Sequence, residues 1–201
     1  MTVFWTARER VNARLRFQSS EFTLQSALSS KRNWYTRVIR KVILFLLVFS
    51  TLQIAWQQST DSALARGFIQ RAIVAPAALI IDRITPDAHA VAVGSRLRSP
   101  MGGINIVNGC DGMEMLFLLI AGFAAAPLSG RDRLAGILAG IPLVYALNQG
   151  RILALFYSLH ENADWFDAMH GLVAPVLMVL LIGIYFYLWL PRESARAPGS
   201  P

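Results

Sequence analysis

Four stretches of this sequence are long and apolar enough to cross a lipid bilayer, and they limit every fold open to the chain. A crossing helix needs about 20 consecutive, mostly apolar residues. Val38–Trp56, Gly112–Leu128, Leu134–Leu159 and Gly171–Leu190 meet that need, the second being the shortest. No water reaches the hydrocarbon core, so backbone groups there must pair within their own segment, and each stretch reads as a helix. Arg40 and Lys41 mark one interface of the first stretch and Trp56 the other. Tyr185, Tyr187 and Trp189 form an aromatic belt at the end of the fourth. The expected fold class is an all-α integral membrane protein of about four transmembrane helices.

Charge orients these spans. The chain has a net charge of +7, which taken alone would suggest a nucleic-acid partner. Residues 1–41 hold nine Lys or Arg against Glu9 and Glu21, which accounts for the whole excess. This basic arm runs straight into the first apolar stretch. It reads as a cytoplasmic arm under the positive-inside rule, with the lipid bilayer and not nucleic acid as its partner. With residues 1–37 inside, the loop Ser129–Arg133 returns to the same side carrying Arg131 and Arg133. The tail 191–201, with Arg192 and Arg196, also ends inside, and its Pro/Gly/Ser-rich composition predicts disorder. The loop His160–Met169 faces outside with Glu161, Asp164 and Asp167 and no Lys or Arg.

Between the first two spans, residues 63–109 are expected on the outer face. Ala63–Asp82 is apolar but interrupted by Arg66, Arg71 and Pro76, so it reads as an interfacial amphipathic helix. Ala90–Asn108 alternates in polarity around a Gly/Pro/Ser centre, the pattern of a small β-hairpin. Residues 38–190 therefore form one membrane domain, between the arm 1–37 and the tail 191–201.

The layout places three unusual side chains at one depth. Cys110, the single cysteine, lies where the hairpin enters the second span. Arg151 lies in the third span near its outer end, and His170 opens the fourth. They are 41 and 19 residues apart in sequence, so only topology brings them together. A cysteine attacks as the thiolate, which a cation or a helix N-terminus favours. Imidazole takes and returns a proton near neutrality. Guanidinium stays charged and stabilises an oxyanion. Such a set suits acyl transfer through a thioester. Each residue also has a plainer role. Cys110 can be buried packing, Arg151 can neutralise Glu114, and His170 can decorate an interface. Of the neighbours, Asp111 and Glu114 oppose a thiolate, Asn148 is placed to orient Arg151, and Asp167 to hold the imidazole tautomer. No His/Cys cluster at metal-ligand spacing and no Gly-rich phosphate loop occurs, so no metal or cofactor is expected.

NGCDGMEMLFLLIAG, LNQGRILALFYSL and FDAMHGLVAP resemble, in that order, the three motif regions of exosortases and archaeosortases. Those regions carry a Cys near the start of one span, an Asn-x-x-Arg in the next and a His opening the last. The matching positions here are Cys110, Asn148 with Arg151, and His170, and the resemblance covers about residues 63–190. Larger members have about eight spans, so the chain is similar to the short, single-module members. Many members have Ser where this chain has Asp111.

The resemblance implies a multi-pass cysteine transpeptidase or protease of a bacterial inner membrane, with its active site facing the periplasm. It implies Cys110 as nucleophile, Arg151 as oxyanion or thiolate stabiliser and His170 as acid/base. The implied partners are exported proteins ending in a C-terminal signal of a short motif, a hydrophobic span and a basic cluster. The competing expectation is a non-catalytic scaffold or assembly factor for envelope polysaccharide. A small channel lined by Arg151 lacks the paired half-helices of transporters.

Overall fold

The computed structural model describes residues 7–100, 102–106, 110–161 and 163–190, with side chains from residue 33 onward except 160, 161 and 163. Its elements run α1 (Ala7–Ser59), α2 (Ala63–Phe68), a π-helical turn (Ile69–Val74), α3 (Ala75–Ile84), β1 (Val91–Val93), β2 (Arg96–Ser99), β3 (Gly102–Asn105), α4 (Met113–Ala125), α5 (Gly130–Glu161), α6 (Ala163–Ala168), a second π-helical turn (Met169–Val173) and α7 (Ala174–Trp189). The expected tail 191–201 and the first six residues of the arm lie outside the described residues.

The chain divides into two units, Met1–Ile43 and Leu44–Pro201. The described part of the first is the opening stretch of α1. There Arg37 and Thr36 return hydrogen bonds to the Asn33 carbonyl, and Trp34 meets Tyr35 edge to face. The second unit holds everything that positions Cys110, Arg151 and His170.

That unit has two packed clusters. The first joins α4, the first half of α5, and α7 through Met115, Leu119, Phe123, Val144, Met178 and Ile182. Glycines let these helices close up. A Cβ on Gly136 would strike the Phe123 ring, and one on Gly140 would strike Leu119. Small residues one turn apart are a common route to tight helix contact in lipid. The aromatic belt closes this end. Tyr185 Oη donates to the Gly136 carbonyl at 2.6 Å, and Trp189 Nε1 to the Asp132 carbonyl at 3.0 Å. Outward, α7 presents Val176, Leu177, Leu180, Ile184 and Leu188, all exposed, and Leu172 of the preceding π-helical turn continues this surface. A continuous apolar outer surface of this kind marks contact with lipid.

The second cluster joins the α2–α3 segment, the sheet and the second half of α5 through Ile73, Val74, Ile81, Leu97, Ile106, Ile152 and Phe156. The sheet is an antiparallel meander in the order β1-β2-β3, with Val91 opposite Arg98 and Leu97 opposite Ile104. The expected hairpin thus gains a third strand, because Gly94 at φ +62 turns β1 into β2 before the Pro100 turn leads to β3. Here the outward residues are mixed: Asp82, Arg83, Asp87, Arg96 and Arg98 are exposed, and so are Leu64, Leu79, Ile84, Val91 and Val93.

Four helices are long and apolar enough to cross a membrane, Asn33–Ser59, Ala63–Ile84, Gly130–Leu159 and Asp164–Trp189. The number is the expected one, but the set differs. Met113–Ala125 has 13 residues, about 20 Å of helix. Its flanks extend its reach. The residues before it meet the α1 end at Trp56, and the Ala126 carbonyl after it accepts from Arg133 Nη2 at 3.3 Å. Ala63–Ile84 has the length of a span but is offset from the helix trio. Ile73 accepts from Gln149 Nε2 at 3.3 Å, and Thr85 hydrogen-bonds Tyr157 at 3.0 Å. It therefore runs beside the second half of α5, next to the sheet.

Candidate active site

Cys110 lies at the junction of the two clusters, in the turn between β3 and α4, and is buried. The turn is tight for a local reason. Gly112 has φ +80, a left-handed conformation that an L side chain rarely adopts. A Cβ there would also sit 2.7 Å from Asn148 Cγ. Asn148 is thus packed under the turn and sets how closely Cys110 approaches α5.

The three side chains expected at one depth are brought together. His170 Nδ1 is 3.5 Å from Cys110 Sγ, within hydrogen-bond range for sulfur. Arg151 Nη2 points at the same sulfur from 3.8 Å. Arg151 is buried and His170 is exposed, so the guanidinium approaches the sulfur from inside the fold and the imidazole from its surface. His170 lies in the π-helical turn Met169–Val173, and its ring stacks flat on Phe166 with centroids 5.8 Å apart.

The supporting residues take different places from those expected. Asp111 does face the site, but its carboxylate is committed. It accepts from Trp56 Nε1 at 2.7 Å and from the Met113 backbone N–H at 3.1 Å. It therefore caps α4, filling the helix N-terminus that was expected to favour a thiolate. Glu114 accepts from Gln53 Nε2 at 3.1 Å. Asn148 is buried without hydrogen-bonding the guanidinium; among the described residues its Oδ1 has no partner. Asp167 is exposed and makes no hydrogen bond to His170. The imidazole directs Nδ1 at sulfur and lays its face on Phe166, which leaves the carboxylate three residues earlier to one side.

Sequence reasoning missed three residues that shape the site. Trp56 was read as an interface marker, yet it holds Asp111. Phe166 stacks the imidazole, and Gln149 ties α5 to the Ile73 carbonyl. The four-residue spacing of Phe166 and His170 was the one available signal, since such pairs share a helix face.

Cys110 and Asp111 precede α4, outside its apolar run, and the charge balance around them is legible. Burial pushes the Cys110 thiol up; Arg151 pulls it back down; Asp111 and Glu114 push it up again. Burial likewise raises the Asp111 carboxyl against the opposing pull of its hydrogen bonds to Met113 and Trp56. The net direction favours the protonated thiol over the thiolate.

A cavity of about 290 Å³ opens beside the sulfur. Cys110 and His170 form one wall, Ile152, Leu155 and Leu159 of α5 another, and Gly103–Ile106 a third. Among the described residues no group of three His, Cys, Asp or Glu side chains is placed to hold a metal ion.

The family model described as transmembrane exosortase matches residues 34–187. No curated protein and no solved structure matches the chain at a significant level.

Proposed function

Because the chain belongs to the transmembrane exosortase family, we propose that it is a membrane-embedded cysteine transpeptidase or protease of the bacterial inner membrane, with both termini in the cytoplasm and its site open to the periplasm. It processes exported proteins that end in a hydrophobic span followed by a basic cluster. The observation that carries this reading is the convergence of His170 Nδ1 and Arg151 Nη2 on one sulfur, at 3.5 and 3.8 Å.

In the first step His170 Nδ1 takes the thiol proton as Sγ attacks a backbone carbonyl carbon. The oxygen gains negative charge beside the fixed Arg151 guanidinium, where a preorganised donor acts most strongly. The C–N bond then breaks, His170 returns the proton to the leaving amine, and a thioester on Cys110 remains. In the second step water, or an amine acceptor in its place, adds to the thioester with His170 as base. The C–S bond breaks, Sγ regains a proton, and the enzyme is restored. Burial keeps the sulfur protonated between turnovers, which protects a lone thiol in an oxidising compartment.

The test uses an exported reporter ending in the hydrophobic and basic tail of a protein from the same cell. The unaltered chain shortens this reporter, while Cys110→Ala, Arg151→Ala and His170→Ala insert into the membrane but leave it uncut. Continued shortening by Cys110→Ala contradicts the proposal and favours the scaffold reading.

A further inference from the structure

We propose that the substrate binds as an added β-strand along the free edge of β3, and that this edge sets the scissile carbonyl in front of Cys110. This rests on the reading of Cys110 as a nucleophile for a peptide carbonyl. The sheet has two edges. β1 packs against α3 and β3 against α5, so a helix neighbours each end strand and the cavity is what distinguishes them. β3 pairs only with β2 among the described residues, and its residues line the cavity that holds Cys110 and His170.

The ladder fixes which backbone groups are offered. Ile106 N–H donates to the Ser95 carbonyl at 2.8 Å, and Leu97 stands opposite Ile104 and Ser99 opposite Gly102. In an antiparallel pair alternate residues turn both their groups toward the partner. Gly102, Ile104 and Ile106 therefore face β2. Gly103 and Asn105 aim their N–H and C=O the other way, and both are exposed. Exposed edges are usually blunted by charge, Pro or a bulge. Gly102–Asn105 (GGIN) carries no charge and no Pro, and its two glycines leave the edge bare.

The chemistry favours an extended occupant beside Sγ. An extended chain fits by sending alternate side chains in and out, the usual mode of strand addition. A helical segment would keep its carbonyls in intrahelical hydrogen bonds, away from Sγ. The inward side chains would meet Ile152, Leu155 and Phe166, so small or apolar residues are expected at alternate positions beside the cut.

The test is a disulfide scan with the full-length chain in its membrane. Asn105→Cys is made in a Cys110→Ser background, and single cysteines are placed along the reporter's segment preceding its hydrophobic tail. Facing residues of paired strands lie within disulfide reach. Strand addition gives one strongest crosslink, at the reporter position facing Asn105, at least about fivefold above the positions on either side of it, whose side chains point to the opposite face. Val91→Cys on β1 gives none. Crosslinks spaced three or four apart, equal crosslinking at all positions, equal crosslinking from Val91→Cys, or none at all overturn the proposal. The scan needs no turnover, so shortening of the same reporter by the unaltered chain separately reads whether the reaction itself was assigned correctly.

Discussion

The helix trio of α4, α5 and α7 and the sheet-side cluster share α5, yet they are held by different means. The trio buries Leu119, Phe123 and Ile182 while turning an equally apolar surface outward. Lipid gives no hydrophobic incentive for such helices to associate, so close packing at Gly136 and Gly140 has to hold them. The sheet-side cluster buries Ile81, Leu97 and Phe156 under an exterior that mixes exposed charges, Asp82, Arg83, Arg96 and Arg98, with exposed Leu79, Ile84, Val91 and Val93. Its fixed polar contacts, Gln149 to Ile73 and Thr85 to Tyr157, tie it to α5. Cys110 lies where the two regimes meet. The boundary gives a buried sulfur on one side and a solvent-exposed imidazole on the other, the combination that proton transfer from a protected thiol requires.

Substitutions can break or sharpen this contrast. The largest effect is expected at the boundary itself. Cys110→Ala lowers reporter shortening by at least about a thousandfold, since the nucleophile cannot be replaced. Arg151→Ala lowers it by about a hundredfold to a thousandfold, the usual cost of one oxyanion donor. Arg151→Lys recovers part of that loss, because the charge remains while the fork geometry is lost. Rates are read from the fraction of reporter shortened over time.

Gly112→Ala tests whether the turn and not only the thiol is required. It forces an L side chain into a positive φ and into Asn148, so Cys110 shifts away from α5. The expected result is a loss of shortening of at least about tenfold at unchanged membrane insertion. Full activity would mean that the contact with Asn148 does not position the sulfur.

Thiol titration reads the electrostatics with no substrate. Alkylation of Cys110 by iodoacetamide should rise with pH around a midpoint above that of a free thiol, since burial outweighs Arg151. Arg151 lowers the thiol pKa, so Arg151→Ala moves the midpoint further up. Asp111 and Glu114 raise it, so Asp111→Asn and Glu114→Gln move it down. A midpoint below the ordinary thiol range would point to a preformed thiolate–imidazolium pair instead.

The smallest effects separate the two regions. Gly140→Val crowds Leu119 in the trio and should cost about 1–3 kcal/mol of stability, read as a lower Tm in detergent. Tyr185→Phe removes the bond to Gly136 and costs about 1 kcal/mol. Neither should move the Cys110 titration. If either did, the two clusters would not be separable as described.

The trio was readable from sequence because long apolar runs have few alternatives in lipid. Counting residues along those runs pointed to the convergence of Cys110, Arg151 and His170. The position of Ala63–Ile84 was harder to read, because its length and composition fit a span while Arg66, Arg71 and Pro76 argue for an interface. Its partners in the fold, Gln149 and Tyr157, lie on a helix that sequence patterning cannot align with it. The third strand escaped notice since Gly102 and Gly103 carry no alternation signal. The supporting residues were placed by helical spacing alone. Spacing identified Glu114 as opposing the Cys110 thiolate but could not show its hydrogen-bond partner Gln53, 61 positions earlier in sequence.

The most direct measurement is mass spectrometry of Cys110 after brief exposure to the tailed reporter, with acid quenching to preserve thioesters. The account predicts a peptide containing Cys110 whose added mass equals the reporter's upstream fragment, removable by neutral hydroxylamine and absent from Cys110→Ser. A reporter that is shortened at the normal rate while the Cys110 peptide stays unmodified at every time point, and is shortened equally by Cys110→Ser, would contradict it.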